Sequence, residues 1–404
     1  MGLRTFLSTS ALIFGAGSLL LLLFTVIPIP VYRLWPLSLG AIELSLWFGI
    51  AGLLGAVLGA VTLREGSTVV GSAALISGVL AFGLGIIPPV RARAAANREG
   101  VPLSATDYFL GWRRSPPAVE VQRDIVFGTV DGEPLRLDLY QGAGTPRERR
   151  PAMVIIHGGS WSGGAKGEFQ RFSQAMAGEG MAVFDVDYRL AGPDQRFPAQ
   201  IGDVKCAIGW IKQNADAYGV DPDRIVLVGR SAGGQLALLA AYAPDNPALP
   251  ASCTAGDTSV RAVISYYAPV DQIWGYTHPA RHDLIQGAAT LRNYIGGTPD
   301  DMADAYRLAS PHLQVTPQAP PTLIFHGGHD RLVSVQHAYF LRDALQGAGI
   351  PHRLVVLPWT DHGFDYFFDG WGSQITRPII RDFLATHLGG SPESTRPATI
   401  AAHP

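Results

Sequence analysis

The chain is short of cysteine and of charge. Only two cysteines occur in 404 residues, Cys206 and Cys253. They are too few for a disulfide framework, and neither sits in a C-x-x-C or Cys/His zinc spacing. One bridge between them stays open, and with it the redox compartment. Charged residues make up 16% of the sequence, below the roughly 25% of an ordinary soluble domain. Neither sign dominates, with 31 Lys and Arg against 33 Asp and Glu, and no basic block is interleaved with aromatics. A nucleic-acid partner is therefore not expected. No metal is expected either: His278 and His282 are four apart, but Pro279 lies between them and no second cluster appears.

What is abundant is apolar sequence, at 47% of residues, and it is concentrated at the N-terminus. Three uncharged stretches, 6–27, 44–63 and 68–87, are each about 20 residues long, enough to cross a ~30 Å hydrocarbon core as helix. Residues 1–90 thus read as a transmembrane region. The first stretch is longer than the ~7–15 residue core of a signal peptide and lacks an A-x-A-like site, so an uncleaved anchor is expected over a cleaved signal. Small residues in spans two and three ("GIAGLLGAVLGA") suit close helix packing in lipid. With three spans, Arg33, Arg91, Arg93 and Arg98 share one side and Arg4 and Arg64 the other. That tally puts the C-terminal part in the cytoplasm of a multi-pass membrane protein.

Residues 91–118, ending in "RRSPPAV", read as a juxtamembrane linker, because Pro-Pro and paired arginines interrupt periodicity. From 119 to 388 short apolar or β-branched runs such as "AMVIIHGG", "RIVLVGR" and "PTLIFHGG" alternate with helical patterns. Continuous apolar strands between helices imply an α/β domain with a mostly parallel sheet covered on both faces. The first two runs, meeting at Asp131-Gly132, look like an antiparallel hairpin. Residues 389–404 read as a disordered tail.

Gly229-Arg230-Ser231-Ala232-Gly233 matches G-x-S-x-G between a strand pattern and a helix pattern. In that setting the glycines allow a tight turn that lifts a nucleophilic serine above the sheet edge. A serine hydroxyl also needs a base and a pocket for the resulting oxyanion. His157-Gly158-Gly159-Ser160-Trp161 ends the third strand run and offers backbone N–H groups from Gly158, Gly159 and Ser160, with Ala232 adding one from the start of the helix. Asp330 and His362 follow the serine in the required order at two further strand ends. Asp361 and Asp365 compete with Asp330 on sequence distance, but a buried orienter normally comes from another strand end. His326 and His329 read as shaping the turn before Asp330. For Arg230, a structural pairing with a carboxylate and a substrate contact are both open.

On these segments, together with "DVDYRL", "YGVDPDRIVLVGRSAGG", "YIGGTPDDMADAYRLASP" and "DHGF", residues 119–388 resemble the α/β-hydrolase fold. Within it they resemble bacterial esterases related to the hormone-sensitive-lipase and feruloyl-esterase-like groups. The resemblance implies an eight-stranded sheet, a catalytic Ser231, Asp330 and His362, an oxyanion hole from Gly158, Gly159, Ser160 and Ala232, and no cofactor. It does not extend to the three spans. Two positions depart from many relatives: Ser160 replaces a third glycine, and Arg230 stands where an acid or histidine is common. Residues 271–307 would form a cap, with Trp161, Trp274 and Tyr276 as candidate substrate contacts. The expected activity is hydrolysis of a small-molecule carboxylic ester beside the lipid bilayer. An amidase or formamidase of the same fold, and a non-catalytic ligand-binding membrane protein, are the alternatives. Oligomeric state leaves no signature in the sequence.

Overall fold

The computed structural model describes residues 2–27, 29, 31–144, 149–280 and 284–389. Eight strands form one sheet in the order β1-β2-β4-β3-β5-β6-β7-β8. They are β1 (Val119–Val130), β2 (Glu133–Gly142), β3 (Arg150–Ile156), β4 (Ala182–Val186), β5 (Val220–Arg230), β6 (Ala262–Tyr266), β7 (Thr322–Gly327) and β8 (His352–Leu357). β1 and β2 pair antiparallel, as do β2 and β4; from β4 to β8 every neighbouring pair is parallel. The β1–β2 turn is tight because Asp131 and Gly132 both take positive φ, 52° and 83°.

Two-sided cover explains the continuous apolar strands. On one face, helices Ala199–Gln213, Ala232–Tyr242 and Gln336–Gly347 bury Ile201, Ile208, Leu236 and Leu341 against Val154, Ile156 and Leu227. On the other, Gln170–Gly178 and Trp371–Leu388 bury Met176, Ile375 and Ile379 against Met153, Ile155 and Val228. Successive strand residues point to opposite faces, so both parities must be apolar.

Cys206 and Cys253 form a disulfide, which ties the Ala199–Gln213 helix to the loop before β6. That loop lies hard against the helix: a Cβ on Gly209 would come within 2.2 Å of Ala255 O.

Among the described residues, three helices are long and apolar enough to cross a membrane, Leu3–Leu23, Ser45–Arg64 and Thr68–Glu99. The first carries a π-helical turn at Ile13–Gly17. They pack on one another through glycine. A Cβ on Gly55 would fall 2.2 Å from Gly15 N, and one on Gly78 would fall 2.3 Å from Gly52 O.

The third helix departs from expectation, because it runs on through Pro88 and Pro89 to Glu99, into the stretch read as linker. The reason is a stripe of small residues at helical spacing. Ala92, Ala95 and Ala96 are buried in the same cluster as Ile375 and Val228, while Arg91, Arg93 and Arg98 face outward. Glu99 then pairs with Arg353 at 2.6 Å. A short helix, Ala105–Leu110, follows; its Tyr108 stacks on Trp371 at 4.3 Å. The expected linker is thus largely docked structure. The proposed tail lies outside the described residues, except for Gly389.

Candidate active site

β5 ends in a turn that only certain residues allow. Ser231 has φ 53° and ψ −121°, a conformation that costs on the order of 1–3 kcal/mol for a non-glycine residue. It is held because Gly229 and Gly233 come together: a Cβ on Gly229 would lie 2.1 Å from Gly233 O, and one on Gly233 would lie 2.2 Å from His157 O. Ser231 N–H donates to Tyr266 O at 2.9 Å, fixing the turn to β6.

The loop after β3 leans over this serine. A Cβ on Gly158 would be 3.3 Å from Ser231 Cβ. Gly159, Ser160 and Trp161 take three consecutive positive φ values, 108°, 54° and 61°, which curl the loop so that Ser162 and Gly163 donate back to Gly159 O. Trp161 pins the curl: its Nε1 donates to Gln235 Oε1 at 2.9 Å and its ring stacks on Tyr294 at 4.1 Å. Ala232 occupies the first helical position, whose N–H has no partner within its own helix.

Asp330 and His362 meet, as expected from their strand ends. His362 Nδ1 lies 2.7 Å from Asp330 Oδ2, while the N–H groups of Leu332 and Val333 donate to Asp330 Oδ1 at 2.9 and 2.8 Å. Burial opposes ionisation of Asp330, but His362 and His326 outweigh it and hold the carboxyl well below the usual range. His326 Nε2 sits 3.3 Å from the same oxygen, so this histidine backs the acid as well as shaping the turn. With the proton on Nδ1, Nε2 of His362 is left as an acceptor, the state a base requires.

The competing acids are engaged elsewhere. Asp361 Oδ1 accepts the backbone N–H groups of His362 and Arg331 at 2.7 and 2.9 Å, and burial beside Asp330 pushes its pKa up to about 6. Asp365 is the carboxylate that meets Arg230: Nε to Oδ2 is 2.5 Å, with both side chains almost fully buried. The guanidinium also lies 3.7 Å from the Phe169 ring centroid. Tyr267 O–H donates to the other oxygen of Asp365, and its ring packs 4.3 Å from His362. Arg230 therefore has a structural partner, and it also borders the cavity shared by Ser231 and His362.

Ser231, His362, Gly158, Gly159 and Ser160 line one small cavity of about 80 Å³. A second, of about 50 Å³, runs from Ser231 and Ala232 under the cap past Trp161, Ile285, Leu291 and His337. Two expected substrate contacts are corrected. Trp274 stacks on His278 and packs edge-on against His337 and Phe340, and Tyr276 accepts from Arg292 and packs on Tyr306. Neither lines these cavities, because Trp274 packs the cap onto the Gln336–Gly347 helix and Tyr276 packs within the cap on Tyr306. Trp161 does line the cap-side cavity, with its indole N–H already occupied. His282 lies outside the described residues. Sequence reasoning missed Tyr267, Asp365 as the Arg230 partner, His337, Tyr32 and Trp35. Only Arg230 carried a signal, since a buried guanidinium must find a carboxylate.

A mostly parallel eight-stranded sheet with the serine turn after β5 and an acid and a histidine after β7 and β8 defines an α/β-hydrolase. Within that class, the BD-FAE family model matches residues 137–345, just over half of the chain, and the chain belongs to this family. Esterase LipC of Mycobacterium tuberculosis is 30% identical over 321 residues, covering 74% of this chain and 77% of that protein. The probable carboxylic ester hydrolase LipM of the same organism is 32% identical over 251 residues, 60% of this chain and 57% of that protein. Among solved structures, the butyrate-bound esterase 2 of Thermogutta terrifontis superposes with a TM-score of 0.56 at 30% identity, covering 68% of this chain and 96% of that one. The same enzyme phosphonylated by sarin gives a TM-score of 0.57 at 28% identity, covering 68% and 97%. The protein is a carboxylesterase-type hydrolase.

Proposed function

We propose that this is a membrane-anchored serine carboxylesterase, with residues 1–90 as its transmembrane region and 119–388 as its catalytic domain. Ser231 Oγ attacks the ester carbonyl as His362 Nε2 takes its proton. The carbonyl oxygen becomes an oxyanion held by the backbone N–H groups of Gly159, Ser160 and Ala232, with Gly158 supplying the room for their approach. Collapse breaks the C–O bond to the leaving alcohol, which receives the proton from His362, and leaves an acyl group on Ser231. Water, deprotonated by the same imidazole, then releases the acid and restores the serine. Asp330 fixes the imidazole tautomer and stabilises its charged form.

The observation that carries this reading is the 2.7 Å contact of His362 Nδ1 with Asp330, at the end of a cavity that also opens on the strained Ser231. The phosphonylated esterase 2 of Thermogutta terrifontis lends support, since a nerve agent reacts with an activated nucleophile. The test is Ser231→Ala in the full chain. Hydrolysis of p-nitrophenyl butyrate should fall by about 10⁴-fold or more with unchanged thermal unfolding, and fluorophosphonate labelling should vanish. Unchanged turnover would sink the reading, and a preference for N-formylkynurenine over simple esters would move it to a formamidase.

For the side of the membrane, two observations pull apart. The arginine tally favours a cytoplasmic catalytic domain, whereas the Cys206–Cys253 bridge belongs to an oxidising compartment. The bridge weighs more, because the four-to-two tally reverses if one span is miscounted. We therefore place the catalytic domain on the non-cytoplasmic face. Protease added to intact cells or spheroplasts should digest it; full protection would refute the placement.

A further inference from the structure

The segment between the first and second apolar helices enters the active site. The Trp35 and His362 rings meet at an interplanar angle of 60° with centroids 6.3 Å apart, and Tyr32 stacks on Trp35 at 6.0 Å. The approach is close: a Cβ on Gly363 would be 3.1 Å from Trp35. Tyr32 and Trp35 are part of the same 80 Å³ cavity wall as Ser231 and His362.

This contact is fastened from the catalytic domain. Arg331, the neighbour of Asp330, donates from both terminal nitrogens to Phe24 O at 3.1 Å and from one of them to Ser38 Oγ. Phe24 is the C-terminal cap residue of the first apolar helix, where a cation meets free carbonyls and the negative end of the helix dipole. The loop that carries the catalytic acid thus grips both ends of the intervening segment.

Among the described residues, two cavities open from Ser231. The one under the cap holds only about 50 Å³. The other passes Tyr32 and Trp35 into an open cleft of about 1080 Å³ between Val31–Arg33 and the cap residues Leu284–Gln286. Its lining is mixed, with Val31, Tyr32, Leu284 and Ile285 forming an apolar side and Arg33, Glu168 and Gln286 a polar one, and Val31 and Tyr32 are 49% and 50% exposed. Beside the start of the second apolar helix, Trp47 packs on Phe109 and remains 43% exposed, and Trp112 is 68% exposed. Exposed tryptophans at a helix end mark the depth of a membrane surface. The wide cleft shares Glu168 and Tyr366 with the groove that Trp47 and Trp112 line, so it opens beside these tryptophans.

We propose that Val31–Trp35 is a wall of the substrate site, and that the substrate is a membrane-resident ester whose long hydrocarbon chain runs from Ser231 along this wall toward the bilayer. The short side of the ester occupies the small cavity under the cap. The proposal rests on Ser231 as nucleophile and extends that reading to a substrate class. A long chain on this path would lie against the apolar side chains of Val31, Tyr32, Leu284 and Ile285, which lowers its exposure to water during the acyl-enzyme stage.

The test uses the full chain in phosphatidylcholine vesicles. Because the only two cysteines are bonded to each other, Tyr32→Cys introduces a single free thiol. The variant is treated with a fluorophosphonate bearing either a methyl or a hexadecyl chain. In each case Ser231 Oγ bonds to phosphorus, fluoride leaves and His362 takes the hydroxyl proton. Alkylation of the new thiol by a water-soluble maleimide should then be slower by about tenfold or more under the hexadecyl adduct than under the methyl adduct. Equal rates would overturn the proposal. A second variant, Trp35→Ala, should lower the ratio of kcat/KM for p-nitrophenyl palmitate over the butyrate by about tenfold; an unchanged ratio would overturn it too. Absence of any adduct on Ser231 is a different failure: it overturns the nucleophile and with it this extension.

Discussion

Replacing Arg230 by methionine should be costly out of proportion to its distance from substrate. The arginine is 1% exposed and its Nε lies 2.5 Å from Asp365, which is itself 8% exposed. Burial works against the guanidinium charge, but Asp365, together with Tyr267 and Tyr266, more than offsets it and raises the arginine pKa. Methionine fills much of the same space but removes the charge, its cation–π contacts with Phe169 and Phe172 and the Nε–H donor, leaving Asp365 with Tyr267 as its donor. Breaking a buried pair in this way costs about 3–5 kcal/mol. For a domain of this size, 1 kcal/mol corresponds to about 2–4 °C, so the midpoint should fall by on the order of 10 °C. The double variant Arg230→Met with Asp365→Leu removes both charges and should recover most of that loss. Thermal unfolding of the detergent-solubilised chain, scanned at one fixed rate, measures all of these midpoints. A single variant within about 3 °C of wild type, or a double variant no better than the single, would refute the argument.

Two further predictions concern stability. Replacing Cys206 and Cys253 together by alanine opens a loop with a sequence separation of 47, and the loop-entropy relation puts the loss at about 4 kcal/mol; addition of reductant to wild type should lower its midpoint in the same direction, and no change in either would count against a bridge in the folded chain. Asp185 faces Asp138 across β2 and β4, and burial pushes its pKa up to about 7. Between an unfolded carboxylate pKa of ~3.9 and that value the folded chain holds a proton the unfolded chain lacks, so this group's contribution to stability declines as pH rises toward 7 and then levels. His337, pushed down to about 3 by burial, tilts the profile the other way below ~6.5, so the diagnostic is the change on substitution. Asp185→Asn should raise the midpoint at pH 7.5 relative to that at pH 5.5, and an unaltered pH profile would refute the assignment.

The sheet and its serine turn were legible because local rules dictate them. Strands buried on both faces must be continuously apolar, as in "AMVII", and a turn in which a Cβ on Gly229 or Gly233 would strike backbone admits only glycine there. The order of Ser231, Asp330 and His362 followed from strand ends. The docked stretch at 91–99 was not read, because Pro-Pro and the arginines masked a stripe of only three alanines.

Residue order was enough for the fold class, the three apolar helices and which serine, acid and histidine stand at strand ends. These rest on residue type and spacing along one stretch of chain. Packing in three dimensions set the rest: Asp365 answers Arg230, Cys206 meets Cys253, Trp274 packs on His337, Tyr276 on Tyr306, and Trp35 on His362. Each of these pairs residues from different elements. Their partners are chosen by which surfaces the packed sheet and helices bring together, and no local periodicity records that choice.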